Sequence, residues 1–123
     1  MLDGCPVMTF LATSDGVRAR AFYEQALGLK FVEDSEHALA FDLSGTMLRI
    51  QKVPQLAPVN HTVLGWQVKD LAATIGALTK NGVRFERYEF MKQDALGIWV
   101  APRGAKVAWF KDPDGNVLSL TQL

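Results

Sequence analysis

The chain repeats itself, and that repetition restricts its fold more than any single element does. Asp15 and Asp70 each follow a strand-like run, and Gly28-Leu29-Lys30-Phe31 corresponds to Gly82-Val83-Arg84-Phe85. Near the end of each half, Thr46-Met47-Leu48-Arg49-Ile50-Gln51 lines up with Asn116-Val117-Leu118-Ser119-Leu120-Thr121. Self-similarity of this kind marks two copies of one supersecondary unit in a single chain.

The first copy reads as βαβββ. Pro6 to Thr13 has the length and β-branched content of a strand, and Ser14-Asp15 supplies an N-cap for a helix over Val17 to Leu27, which Gly28 stops. Leu29 to Glu33, Ala38 to Leu43 and Met47 to Val53 follow as strands, the last two joined across Ser44-Gly45-Thr46. Residues 54–60 carry two prolines and no apolar periodicity, which makes them the linker. The pattern then restarts with a strand over Val63 to Val68, a helix from Leu71 to Lys80 capped by Asp70 and ended at Asn81-Gly82, and a strand over Val83 to Tyr88. Lys106 to Lys111 and Val117 to Gln122 form the closing hairpin across Asp112 to Asn116. The segment from Glu89 to Arg103 has no counterpart in the first copy and reads as a functional insertion, with Gly97 to Ala101 as a short extra strand over the sheet. The organisation expected is one domain over residues 1–123, with module 1 at about 6–53, linker 54–60 and module 2 at about 61–123.

Composition narrows the possible partners. At 123 residues and 49% hydrophobic, the chain can bury a core without disulfides or a structural metal. Lys plus Arg and Asp plus Glu both number 13, leaving no positive excess to contact a phosphate backbone, so no nucleic-acid partner is expected. The apolar runs fall short of the roughly 20 residues that cross a bilayer, so no membrane partner is expected either. One cysteine, Cys5, and an N-terminus without signal-peptide character point to a cytoplasmic location.

Two motifs carry a family resemblance: Ala21-Phe22-Tyr23-Glu24-Gln25-Ala26-Leu27-Gly28-Leu29 on the first helix and Asp112-Pro113-Asp114-Gly115-Asn116 near the end. Together they resemble the vicinal oxygen chelate superfamily, which includes glyoxalase I, bleomycin-resistance proteins and extradiol dioxygenases. The resemblance implies an α+β fold in which two βαβββ modules form a cupped, half-open mixed-sheet barrel of about eight strands around a cavity. It also implies a homodimer. In the superfamily's metal enzymes the ligands, His, Gln or Glu, come from the start of each module's first strand and the middle of its last strand. Here those positions fall on Met8, Val63, Arg49 and Ser119. A thioether, an isopropyl group, a guanidinium and a hydroxyl are poor ligands for a divalent cation, and Arg49 adds a fixed positive charge. The expectation is therefore no metal and no other cofactor.

If those four residues face the cavity, the period-two alternation of strands brings Phe10, Ala12, Met47, Gln51, Gly65, Gln67, Val117 and Thr121 to the same side. Leu48, Ile50, Trp66, Leu118 and Leu120 then point to the helix side. Such a lining suits a small organic ligand whose carboxylate, phosphate or enolate-like oxygen is held by Arg49. Arg49 could equally pair with Asp42 on the neighbouring strand. Trp99 and Trp109 could stack on an aromatic ligand or serve as core, Trp99 being the better stacking candidate because of its place in the insertion. His61, His37 and Cys5 read as surface, loop and terminal residues. The aspartates at 112 and 114 resemble the start of a calcium loop, but the glycine comes early and Leu123 stands where a closing glutamate is required, so the segment reads as a turn.

The functional expectation is a metal-free binder of a small, anionic organic ligand, with a cavity lined by Met8, Phe10, Met47, Arg49, Gln51, Val63, Gln67, Trp99, Trp109, Ser119 and Thr121. The alternative is a glyoxalase-like metal-dependent lyase or isomerase, or a dioxygenase, taking its ligands from acids such as Glu86, Glu89 or Asp94.

Overall fold

The computed structural model describes all residues, 1–123. It has two compact units, Met1–Ala57 and Pro58–Leu123. Each holds one four-stranded mixed sheet and one helical segment, which makes the fold α+β with two modules.

In the first unit, β1 (Met8–Thr13), β2 (Lys30–Asp34), β3 (Ala38–Leu43) and β4 (Thr46–Lys52) form a sheet in the order β1-β4-β3-β2. β1 runs parallel to β4 and the other pairs are antiparallel. Ser44 and Gly45, at φ 51° and 95°, make the two-residue hairpin turn that the right-handed strand twist favours. Asp15 caps α1 (Gly16–Arg20) by accepting from the Arg18 N–H at 3.1 Å. The helix expected to continue regularly to Leu27 widens instead into a π-helical stretch, Ala21–Ala26. There the Leu27 N–H reaches back five residues to the Phe22 carbonyl. Of the two adjacent aromatics in this stretch, Tyr23 faces the core. Tyr23 is fully buried against Phe41, and Phe22 packs edge-on to it. Leu11, Ala19, Leu39, Phe41, Leu48 and Ile50 complete this core.

In the second unit the sheet order is β5-β8-β7-β6, with β5 (Thr62–Gln67) parallel to β8 (Val117–Gln122) and β7 (Lys106–Lys111) between β8 and β6 (Trp99–Val100). The helix α2 (Leu71–Lys80) is capped by Asp70, whose side chain accepts from the Ala73 N–H at 3.0 Å. Leu71 and Ile75 of α2 are buried, as are Ala108, Phe110, Leu118 and Leu120 on the sheet. Trp66 stacks on Phe110. The Asp112–Asn116 segment is a turn: Asp112 Oδ1 accepts from the Asp114 and Asn116 backbone N–H groups, and Oδ2 accepts from Asn116 Nδ2.

Two expectations fail in this unit for one reason. Val83 to Tyr88 is not a strand; it makes a single bridge, Phe85 to Phe110, and one bond from the Glu86 N–H to the Trp109 carbonyl. The Gln93 side chain takes the backbone groups that would extend the ladder. Its Oε1 accepts from the Tyr88 N–H at 2.7 Å and its Nε2 donates to the Glu86 carbonyl at 3.1 Å. The insertion then returns in the plane of the sheet, not over it. Trp99 and Val100 pair with Val107 and Lys106 as the edge strand β6.

Candidate functional site

The face of each sheet opposite its helix carries the residues of interest. In the first unit, pairing sets Met8, Met47 and Asp42 in one row and Phe10, Arg49 and Ala40 in the next. Gln51 follows, between Ala12 and Ala38. Leu48 and Ile50 are buried on the other side, so the alternation holds along β4. Met8, Phe10 and Met47 are 49%, 51% and 39% exposed, which makes this face an uncovered apolar surface within its unit. Its one cation is Arg49. The guanidinium makes no ion pair, because Ala40 rather than an acid stands across from it and Asp42 Oδ1 is engaged by the Gly45 N–H at 2.8 Å. The alternative in which Arg49 pairs with Asp42 is thereby overturned.

In the second unit, Trp109, Ser119 and Gly65 form one row across β7, β8 and β5. Trp99, Val107, Thr121 and Gln67 form the next. Trp109 sits at the centre of an aromatic wall, 6.0 Å from the Trp99 ring and 5.9 Å from Tyr88, with Phe90 beyond Tyr88 at 5.6 Å. The two tryptophans are half-buried and lie on the open face, so neither belongs to the helix-side core. Ser119 is only 9% exposed. It has room because the residue opposite is glycine: a Cβ on Gly65 would stand 2.6 Å from Ser119 Oγ.

Three residues on this face escaped the sequence reading. A bulge between Thr62 and Leu64 leaves Val63 without a register partner and pairs Thr62 with Val117. Thr62 then accepts a hydrogen bond from Trp109 Nε1 at 3.1 Å, a contact that strict alternation from Val63 does not provide. Tyr88 and Phe90 join the wall only because Gln93 turns the chain at that point. Burial, and secondarily the Glu86 carboxylate, raises the Tyr88 phenol above its ordinary pKa of 10.0.

The residues do not fit a divalent cation. Met8, Arg49, Val63 and Ser119 supply neither carboxylate nor imidazole, and no three His, Cys, Asp or Glu side chains come together. Two of the acids considered as replacement ligands are at least partly engaged. Glu86 pairs with Lys111 at 3.6 Å, and Asp94 Oδ1 accepts from the Leu96 and Ile98 N–H groups, each at 2.9 Å. His61 and His37 are exposed, and Cys5 is exposed with its thiol near the Met1 carbonyl.

Comparison with known proteins gives a consistent picture. The family model described as Glyoxalase/Bleomycin resistance protein/Dioxygenase superfamily matches residues 6–120. A lactoylglutathione lyase from Agrobacterium tumefaciens superposes with TM-score 0.74 at 18% identity, over 97% of this chain and 93% of that one. A glyoxalase/bleomycin resistance protein from Catenulispora acidiphila gives 0.71 at 21% identity, over 96% and 97%. A glyoxalase/bleomycin resistance protein/dioxygenase from Alicyclobacillus acidocaldarius gives 0.69 at 15% identity, over 97% and 91%. At such identities the likeness is one of fold. No curated protein matches the chain.

Proposed function

The chain belongs to the Glyoxalase/Bleomycin resistance protein/Dioxygenase superfamily, and from that premise we propose that it is a metal-free protein that binds a small anionic organic ligand on its open sheet faces. The observation that carries this reading is Arg49. It is a guanidinium without a carboxylate partner, standing among the exposed Met8, Phe10 and Met47 at a position where the superfamily's metal enzymes place a ligand. An always-charged planar fork among apolar side chains suits a carboxylate or phosphate attached to an apolar body, and repels a metal cation. In the second unit, as a surface separate from Arg49, the aromatic wall of Trp109, Trp99 and Tyr88, with the Ser119 hydroxyl beside it, offers stacking and hydrogen bonding to a planar group. A cytoplasmic homodimer is part of the same proposal.

The metal-dependent alternative relied on Glu86, Glu89 or Asp94 as replacement ligands, and the pairing of Glu86 with Lys111 and of Asp94 Oδ1 with the loop backbone counts against it. Elemental analysis of untagged protein purified without chelators tests the choice. Near-zero divalent metal per chain is expected, unchanged after incubation with zinc, nickel and iron; stoichiometric metal overturns the proposal. In a screen of small organic anions, Arg49→Ala should weaken every hit by about tenfold or more. Unaltered binding of all hits would remove Arg49 from the site.

A further inference from the structure

The repeat separates what the fold requires from what has been added to it. In the first unit three residues, 35–37, connect β2 to β3. In the second, the chain between the Phe85 bridge and the start of β7 at Lys106 is about twenty residues long. This added segment is built rather than loose. Gln93 makes three hydrogen bonds, to the Tyr88 N–H, the Glu86 carbonyl and, at 2.8 Å, the Gly97 carbonyl. Asp94 Oδ1 takes two backbone N–H groups, and Arg87 donates to the Asp94 carbonyl at 2.7 Å. Ile98 is buried beneath it.

The segment borders an open pocket of about 390 Å³, lined by Lys92, Gln93, Asp94, Ile98, Trp99 and Val100. That volume lies in the range, roughly 300–1,000 Å³, of small-molecule sites. Its apolar lining comes from Ile98, Trp99 and Val100. On its rim, Lys92 and Asp94 flank Gln93 with opposite charges, and neither belongs to an ion pair. Asp94 Oδ1 is spent on the loop backbone, while Oδ2 makes no hydrogen bond. The Trp99 indole N–H likewise has no acceptor in the chain.

We propose that this pocket is a second binding site, for a small zwitterion with an apolar body: an α-amino acid with an aromatic or branched side chain. The ligand carboxylate meets the Lys92 ammonium, the ligand ammonium meets Asp94 Oδ2, and the side chain lies on Trp99, Ile98 and Val100. A pocket rim carrying one charge of each sign rewards a ligand that presents both, whereas a simple anion or a simple cation satisfies one and leaves the other facing a like charge or nothing. The inference is independent of Arg49 and of the question of metal, although Trp99 is shared with the aromatic wall.

The test is calorimetric titration of the full-length Arg49→Ala protein, in which the anion site proposed above is disabled, with L-phenylalanine, 3-phenylpropionate and phenethylamine, the last two lacking the ammonium and the carboxylate respectively. Phenylalanine should bind about tenfold more tightly than either analogue, with an affinity that falls as salt is raised. Lys92→Met should erase the advantage of phenylalanine over phenethylamine. Asp94→Asn keeps Oδ1 for the Leu96 and Ile98 N–H groups and should erase the advantage over 3-phenylpropionate. The Val100 methyl resonances should shift on titration, which ties the heat to this pocket, since Val100 lines it and belongs to no other surface described. The proposal is overturned if phenylalanine binds no more tightly than its analogues, if none of the three binds, if both variants titrate like the parent, or if the Val100 resonances stay in place.

Discussion

Gly65 owes its identity to a neighbour, since its backbone does not adopt the left-handed conformation that would demand glycine. A Cβ there would lie 2.6 Å from Ser119 Oγ and 3.2 Å from the Ser119 carbonyl oxygen. The hydroxyl can rotate away, but the carbonyl is fixed in the β8 ladder. Gly65→Ala should therefore lower stability by about 1–3 kcal/mol in urea unfolding, and the same substitution in a Ser119→Ala background should cost less, because only the carbonyl contact remains. Equal costs in the two backgrounds would show that the hydroxyl does not occupy the notch. Ser119 and Arg49 were legible from sequence because the repeat fixes their strands and alternation fixes their faces. Thr62 was not: its place beside Trp109 depends on a bulge at Val63, and a one-residue irregularity leaves no trace in the hydrophobic pattern.

Elements were legible where local chemistry and tertiary pairing agree. The α2 boundaries follow from the Asp70 cap and the Asn81-Gly82 stop, and β7 and β8 from their alternation about the Asp112 turn. Val83 to Tyr88 has a strand's composition yet pairs only at Phe85, since its outgoing backbone groups are taken by a side chain five to seven residues further on. Such competition is invisible to propensity. The arrangement also sets the chemistry of Tyr88, packed against Trp109 and near Glu86. The folded state holds the phenolic proton more tightly than the unfolded chain, whose pKa is the ordinary 10.0. The unfolded state therefore binds fewer protons above that pH. This contribution to stability is fully present below about pH 10 and is lost as pH rises through the higher folded value. Urea midpoints measured from about pH 8 to pH 11 should fall less steeply in Tyr88→Phe than in the parent, with Glu86→Gln between them because it removes only the lesser cause. Parallel declines in the parent and Tyr88→Phe would mean that other groups govern the alkaline limb.

For the whole molecule, the repeat was the strongest signal because it constrains many residues at once, and it gave the two-module architecture and the count of eight strands. One strand nevertheless comes from a different place: β6 at Trp99–Val100 occupies the sheet edge that a continuous Val83–Tyr88 strand would have filled. The added segment is thus responsible for both the irregular edge and the second pocket, and the first unit shows how the connection looks without it. Replacing residues 89–105 with Ser-Glu-His, the sequence at 35–37, removes Gln93 and frees the Tyr88 N–H and the Glu86 carbonyl to pair along β7. The regained ladder offsets the loss of β6, whereas the buried Ile98 is not replaced. We expect a folded protein with native-like strand content by circular dichroism, destabilised by about 1.5–3 kcal/mol from the lost burial. It should no longer bind phenylalanine, while its response to organic anions, which depends on Arg49 in the other unit, should persist. An unfolded product would show that the segment is needed to complete the core of its unit. A folded product that still binds phenylalanine would place that site elsewhere on the chain.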